Sequence, residues 1–365
     1  MKNTCLLLLL FYTSLSSFCQ KRQTGNVIII TFDGLRWQEL FGGADSVLIN
    51  DSAFTSDRSG MNRKFWAPTP EVRRKKLLPF IWSHFVPNGQ LYGNRRYDNK
   101  VDNSNPYWFS YPGYNELLTG YPDTAVNSND KIMNRNQTVL EFINKQPAFR
   151  GKVAVFTSWD VFDYIINEPH SGLLVSSGVD KLEEKYTAAS PTLALLNDMQ
   201  QKIIQPLGDG IRPDVMTHYL AKEFLKQHRP RVLYIAFDET DDWAHKGNYD
   251  NYLRAAHLTD KYIEDLWNTI QTIPQYKGKT TLILTTDHGR GDIVKKNWRH
   301  HGDDIEDAYQ IWFGAMGPDT KAMGEIKTPG QLYQKQVAAT IAKFLGLKFT
   351  AAHPVAEAIE SVLGF

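Results

Sequence analysis

Apolar residues fall into two arrangements along this chain, and their alternation sets the fold class. Continuous runs at residues 26–32, 231–237 and 280–286 lack the apolar–polar alternation of a half-exposed strand. They predict strands buried on both faces. Residues 152–157 and 309–314 predict two more. Helical stretches lie between them, one opened by Thr69 as cap and Pro70 in the first turn and running toward Phe85. Others span residues 190–204, 213–227, 249–270 and 329–345. Strands alternating with helices predict an α/β fold, with a central mostly parallel sheet flanked by helices. Two stretches break the alternation. Residues 43–106 are long, polar and rich in Asn, Arg and aromatics, and residues 126–136 are rich in Asn and Asp. Both predict loop insertions over a pocket.

The first nineteen residues follow another pattern. Lys2 precedes an apolar run from Cys5 to Tyr12 and then small polar residues from Thr13 to Ser17. This order predicts a secretory signal peptide over 1–19, and the run is too short for a membrane span. Cleavage before Gln20 leaves 20–365 as the catalytic domain, exported to the periplasm or the medium. That product has no cysteine, because Cys5 and Cys19 are the only two. Bulky Phe18 argues against a lipoprotein anchor on Cys19. No later segment is apolar enough to cross a bilayer.

Composition narrows the partners. Of 365 residues, 42% are hydrophobic and 22% charged, as in folded soluble proteins. Lys+Arg is 41 against Asp+Glu 40, so there is no basic surplus for stable nucleic-acid binding. The sequence sets no oligomeric state.

Chemistry concentrates where the strands end. The three strongest strands run into Asp33, into the acidic stretch Asp238 to Asp242, and into Asp287-His288. Ligands of open α/β sheets bind beyond the carboxyl ends of the strands. Acids gathered there are costly unless a cation neutralises them. One such acid usually caps a helix, but three with histidine neighbours point to a metal site. Asp241 and His245 stand four apart, on one side of a helical turn. Asp287 and His288 are adjacent, and His301 follows. Asp and His without Cys suit Zn²⁺, with Mn²⁺ the second choice. A calcium-binding module is disfavoured, since residues 238–250 lack calcium-loop spacing. No Gly-x-Ser-x-Gly elbow and no phosphate-binding Gly-Lys loop occurs.

A candidate nucleophile completes the set. Ser110-Tyr111-Pro112 begins a segment that closes at Thr119-Gly120. Together with Asp33, Asp241, His245, Asp287, His288 and His301 in that order, it resembles the alkaline phosphatase superfamily. The closest likeness is to its branch of nucleotide pyrophosphatase/phosphodiesterases and secreted phosphatases. The resemblance spans residues 26–318 and implies that superfamily's fold, two divalent ions and hydrolysis of a small phosphate ester through a phosphoserine. It places one ion on Asp241, His245 and His301, and the other on Asp33, Asp287, His288 and the Ser110 oxygen.

Departures from the family pattern bear on substrate. Gly113 stands where the family carries an Asn that donates to phosphate, and Asn115 is the expected substitute. Tyr114 replaces the Arg of sulfatases, which disfavours sulfate esters, and phosphoglycerate mutases differ around the serine. Residues 157–161 offer no cation of the kind monoesterases use, and Asp160 would repel a dianion if it faced the site. Arg95, Arg96 and Arg135 are candidate cations from the insertions. The expectation is a diesterase, with a phosphomonoesterase as the alternative.

Overall fold

The computed structural model describes residues 22–365. The expected signal peptide and both cysteines lie outside the described residues. In chain order the strands are β1 (Asn26–Phe32), β2 (Gly89–Tyr92), β3 (Asn99–Asp102), β4 (Val153–Thr157), β5 (Leu174–Ser176) and β6 (Val232–Phe237). They continue with β7 (Thr280–Thr285), β8 (Gln310–Ile311), β9 (Phe313–Met316), β10 (Gly324–Glu325) and β11 (Gly330–Tyr333). The main sheet has the order β10-β2-β9-β7-β1-β6-β4-β5. Its centre is parallel: β1 pairs with β6 and β7, and β4 with β6 and β5. Only β9 runs against its neighbours, β7 and β2. A small second sheet has the order β11-β3-β8.

The continuous apolar runs have the burial they predict. Every residue of β1, β6 and β7 is buried. Successive β1 side chains point to opposite faces, so Ile28, Ile30 and Phe32 join one core while Val27 and Ile29 join the other. Helices cover both faces, the longest being Tyr249–Gln271 and Asp214–His228. Among the described residues no helix is long and apolar enough to cross a membrane.

Three expectations are corrected. The strand expected at 309–314 is two strands in different sheets. Fully buried Trp312 turns the chain between them, its indole N–H donating to the Leu35 carbonyl at 2.9 Å. The helix expected over 329–345 begins as β11 and becomes helical only at Gln336–Phe344. The 43–106 stretch is not wholly an excursion, because it supplies β2 to the main sheet and β3 to the small one. Elsewhere the Thr69 cap holds, accepting from the Val72 N–H; the structure adds a cap at Ser190, which accepts from the Leu193 N–H.

Candidate active site

Four neighbouring strands, β7, β1, β6 and β4, end side by side, and their next residues build the site. Asp33 follows β1, and its backbone N–H extends the ladder to the Phe237 carbonyl at 3.0 Å. Gly34 then turns with φ +58°, and a Cβ there would meet Arg290 and Asp241 atoms at 2.8 Å. Glycine is needed on both counts. Helix Glu239–His245 starts directly after β6 and carries Asp241 and His245 on one side. Asp214 caps it, accepting from the backbone N–H groups of Asp238 and Glu239.

Ser110 opens helix Ser110–Thr119, which is buried along its whole length. Its Oγ lies 3.3 Å from His288 Nε2. The helix can sit so close because residue 113 is glycine: a Cβ there would fall 2.5 Å from the Asp287 carbonyl oxygen. This contact also leaves no room for the Asn that the family carries at that place. Trp108, two residues before the serine, takes the left-handed conformation (φ +50°), and its carbonyl accepts from the Gly302 N–H at 3.1 Å.

Two donor sets meet at Ser110. Asp33, Asp287 and His288 present ligand atoms within 4.8 Å of one another, as do Asp241, His288 and His301. His245 Nε2 joins the second set, 3.0 Å from Asp241 Oδ2 and 2.9 Å from His301 Nε2. The His288 Nδ1–H donates to the Gly289 carbonyl at 2.8 Å, so its Nε2 offers a lone pair to the site. Asp33 Oδ1 and Asp287 Oδ2 are buried and have no hydrogen-bond partner. Burial, then the Asp241 charge, pushes Asp33 well above the ordinary carboxylate range; burial, then Asp33, does the same to Asp287. Burial, then the neighbouring His288, holds His301 well below the usual imidazole range. Orphaned carboxylate oxygens facing imidazole nitrogens are the chemistry of divalent-cation ligands, and the residues fit two such ions.

Several neighbours could not be picked out from sequence. Arg290 is buried and forms an ion pair with Asp241, while its Nε donates to the Trp298 carbonyl at 2.9 Å. Burial by itself raises Asp241, but Arg290, His245 and His301 together bring it well below the ordinary range. The Tyr114 hydroxyl donates to Asp33 Oδ2 at 2.8 Å. Burial, then the Asp287 and Asp33 charges, keeps that phenol protonated. Asn129 lies in the 126–136 insertion and accepts from the Tyr111 N–H at 2.9 Å through its side-chain oxygen, leaving its amide N–H₂ for the site. The density of Asn in that stretch was the only signal for it.

A cavity of about 330 Å³ opens over Ser110, Asp241, His245 and His301 and is also lined by Asn129 and Trp159. A larger one, about 430 Å³, lies by Lys343, Phe349 and His353 and holds none of these groups, so size alone does not mark the site.

Other expectations for this region are corrected. Asn115 is not in the cavity: its amide donates to the Tyr121 carbonyl, and its oxygen accepts from Asn134 and Asn136. It ties the insertion to the helix and is buried away from the cavity. Asp160 does not line the cavity; it pairs with Lys131 at 2.7 Å. Arg95 is engaged by Asp102 at 2.6 Å, Arg96 lies over Trp37, and Arg135 lines a separate pocket beside Tyr111.

Known folds agree with this architecture. The alkaline phosphatase PafA is similar over 94% of this chain and 99% of its own, at 12% identity and a TM-score of 0.60. The lipoteichoic acid synthase LtaP from Listeria monocytogenes is similar over 90% and 74%, at 12% identity and a TM-score of 0.56. The C-terminal periplasmic domain of EcEptC from Escherichia coli, solved in complex with Zn, is similar over 89% and 84%, at 11% identity and a TM-score of 0.51. No curated protein matches the sequence. The family described as "Type I phosphodiesterase / nucleotide pyrophosphatase" matches residues 86–345, most of the chain, including the Ser110–Thr119 helix and the Asp241–His245 and Asp287–His301 segments. This chain belongs to that family and is a phosphoester hydrolase.

Proposed function

We propose that this protein is an exported two-metal phosphodiesterase that uses Ser110 as its nucleophile. The observation that carries the reading is Ser110 Oγ at the start of a buried helix, 3.3 Å from His288 Nε2, the imidazole shared by two donor sets, one of which has orphaned carboxylate oxygens on Asp33 and Asp287. Asp241, His245 and His301 would hold one ion, and Asp33, Asp287 and His288 the other. The two ions, Zn²⁺ by the Asp/His donor chemistry, would supply countercharge for the serine oxygen and for the leaving oxygen.

The chain's own groups do the rest. Ser110 forms a bond to phosphorus; the ester oxygen leaves with the bonding pair and takes a proton. Water then cleaves the phosphoserine and restores the hydroxyl. The Asn129 amide donates to a nonbridging oxygen, the role expected of Asn115. Tyr114 orients Asp33, and Arg290 orients Asp241. The N-terminal charge pattern and apolar run support export.

Ester type follows from the lining. Among the described residues no Lys or Arg lines the cavity, so nothing fixed matches the second charge of a monoester dianion. Trp159 stands at the end of β4, where the residue run offers no cation. The test is kcat/KM for bis-p-nitrophenyl phosphate against p-nitrophenyl phosphate at one pH and metal loading. We expect the diester to be favoured about tenfold or more; a preference for the monoester overturns the diesterase assignment and leaves the metal site standing.

A further inference from the structure

Helix Ser110–Thr119 carries a carboxylate that does not line the cavity. Glu116 is fully buried, and its partners are N–H groups from both sides of the chain. The Ser104 N–H lies 2.9 Å from each of its oxygens. The Asn105 backbone N–H and side-chain amide both donate to Oε2 at 2.8 Å, and the Lys335 N–H donates to Oε1 at 3.0 Å. Burial pushes the carboxyl up, against the pull of the Asn105 and Ser104 N–H groups. Donors on both oxygens leave no acceptor facing a carboxyl proton, so the arrangement suits the carboxylate.

Two arms lead from Glu116 into the site. Asn105, held by it, accepts from the Tyr107 and Trp108 N–H groups at 3.1 Å through its side-chain oxygen. Trp108 is the residue in the left-handed conformation, whose carbonyl takes the Gly302 N–H beside His301, and Ser110 follows two residues on. Such a turn persists only where its surroundings hold it. The second arm runs to Asp287. Gln334, next to Lys335, donates to the Thr286 and Asp287 carbonyls at 3.1 and 2.8 Å. Asn103, next to Ser104, donates to the Asp287 carbonyl at 2.7 Å and to Gln334 Oε1 at 2.6 Å. That Asp287 oxygen is the one a Cβ at Gly113 would meet.

We propose that Glu116 is a positioning residue of this site: through Asn105 it sets the turn that presents Ser110, and through the Asn103–Gln334 clamp it sets the Asp287 backbone. The inference rests on the reading of Ser110 as nucleophile and of Asp287 as a ligand. Glu116 touches neither substrate nor ion; it keeps the attacking oxygen and the inner donor set at one spacing. A misplacement of about 1 Å at such a site can cost on the order of 10²-fold in rate. Glutamine has the same size but turns an N–H₂ toward N–H donors, so at least one arm must let go.

The variants are compared on whichever p-nitrophenyl ester the wild type prefers, at saturating zinc. Glu116→Gln should lower kcat on the order of 10²-fold and shift KM by less than about threefold. Single-arm variants should divide the effect. Asn105→Ala should lower kcat by about tenfold or more and retain its ions against graded chelator as the wild type does. Gln334→Leu should release one ion at about tenfold lower chelator, with the smaller loss in kcat. Ile270→Val, a core truncation at the far end of helix Tyr249–Gln271, controls for lost stability. It should lower the melting temperature and leave kcat within about twofold; a fall there equal to that of Glu116→Gln overturns positioning in favour of stability alone. Wild-type kcat and ion retention in Glu116→Gln, with Ser110→Ala inactive, overturn the inference and spare the nucleophile. Turnover in Ser110→Ala overturns the nucleophile reading instead. Should Glu116→Gln not fold, wild-type kcat in Asn105→Ala together with wild-type ion retention in Gln334→Leu overturns the inference.

Discussion

Asp33 and Asp241 follow adjacent strands, yet their surroundings move their acidities in opposite directions. The inner half of the site, Asp33, Asp287 and His288, is at most 2% exposed and contains no Lys or Arg. Its carboxylates are raised by burial and by each other. The outer half, Asp241, His245 and His301, opens to solvent at His245, which is 41% exposed. It also has Arg290 built in as a countercharge, and Asp241 is held low. The inner half is therefore complete only with a bound cation or with protons on its acids. The outer half carries part of its own neutralisation. Ser110, 3.3 Å from His288 Nε2, thus stands beside the half whose acids lack a countercharge.

The largest effect should come from the group both halves serve. Ser110→Ala should lose on the order of 10³-fold or more in kcat while keeping two ions, since it removes the bond-forming oxygen and leaves the carboxylates and imidazoles in place. Near wild-type turnover would remove Ser110 from the mechanism. Ligand substitutions then separate the halves. Asp287→Ala and His245→Ala should each leave about one ion per chain by metal analysis, the first emptying the inner half and the second the outer. Two ions at full occupancy in either variant would break the division. Chelation should sharpen the contrast: apoprotein carrying Asp33→Asn should be more stable than wild-type apoprotein by about 1–4 kcal/mol at pH 8, because an unpaired buried charge is gone. An unchanged or lower melting temperature would contradict the account of the inner half.

The smallest expected effect uses a buried acid elsewhere as a scale. Asp260 accepts from the Phe80 and Ile81 N–H groups at 2.8 and 2.9 Å, and burial pushes its pKa up to about 7 from an ordinary 3.8. The folded state holds this proton more tightly than the unfolded chain. The stabilisation is thus present in full below pH 4 and is lost as pH rises through 7. Between pH 5 and 8 it amounts to about 2–3 kcal/mol, and Asp260→Asn should flatten that part of the stability curve. A curve as steep in the variant as in the wild type would show that two backbone donors already hold Asp260 charged, unlike the inner acids.

Much of this was legible in order along the chain. The β1, β6 and β7 runs are apolar without alternation because both faces of a central parallel strand are covered, and each leads directly to acid. Residues 309–314 misled because a run of apolar residues is the same whether it stays in one sheet or, at Trp312, passes between two. The residues 329–333 read as helix because a short edge strand buries too little to leave a pattern; β11 is mostly exposed.

The sequence by itself determined the fold class, the acidic strand ends and the serine, since local apolar periodicity and residue type report directly on burial and on ligand chemistry. Only the tertiary structure decided which polar groups share the site. Asn115 and Asn129 are the same side chain fourteen positions apart, but one is consumed by Tyr121, Asn134 and Asn136 while the other lines the cavity. Asp160 meets Lys131, whereas Asp238, Asp241 and Asp242 face the cavity. Tyr114 and Arg290 reach metal-ligand candidates 81 and 49 positions away. A hydrogen bond or ion pair across such separations depends on where the folded backbone brings two groups within about 3 Å, and no local pattern encodes that distance.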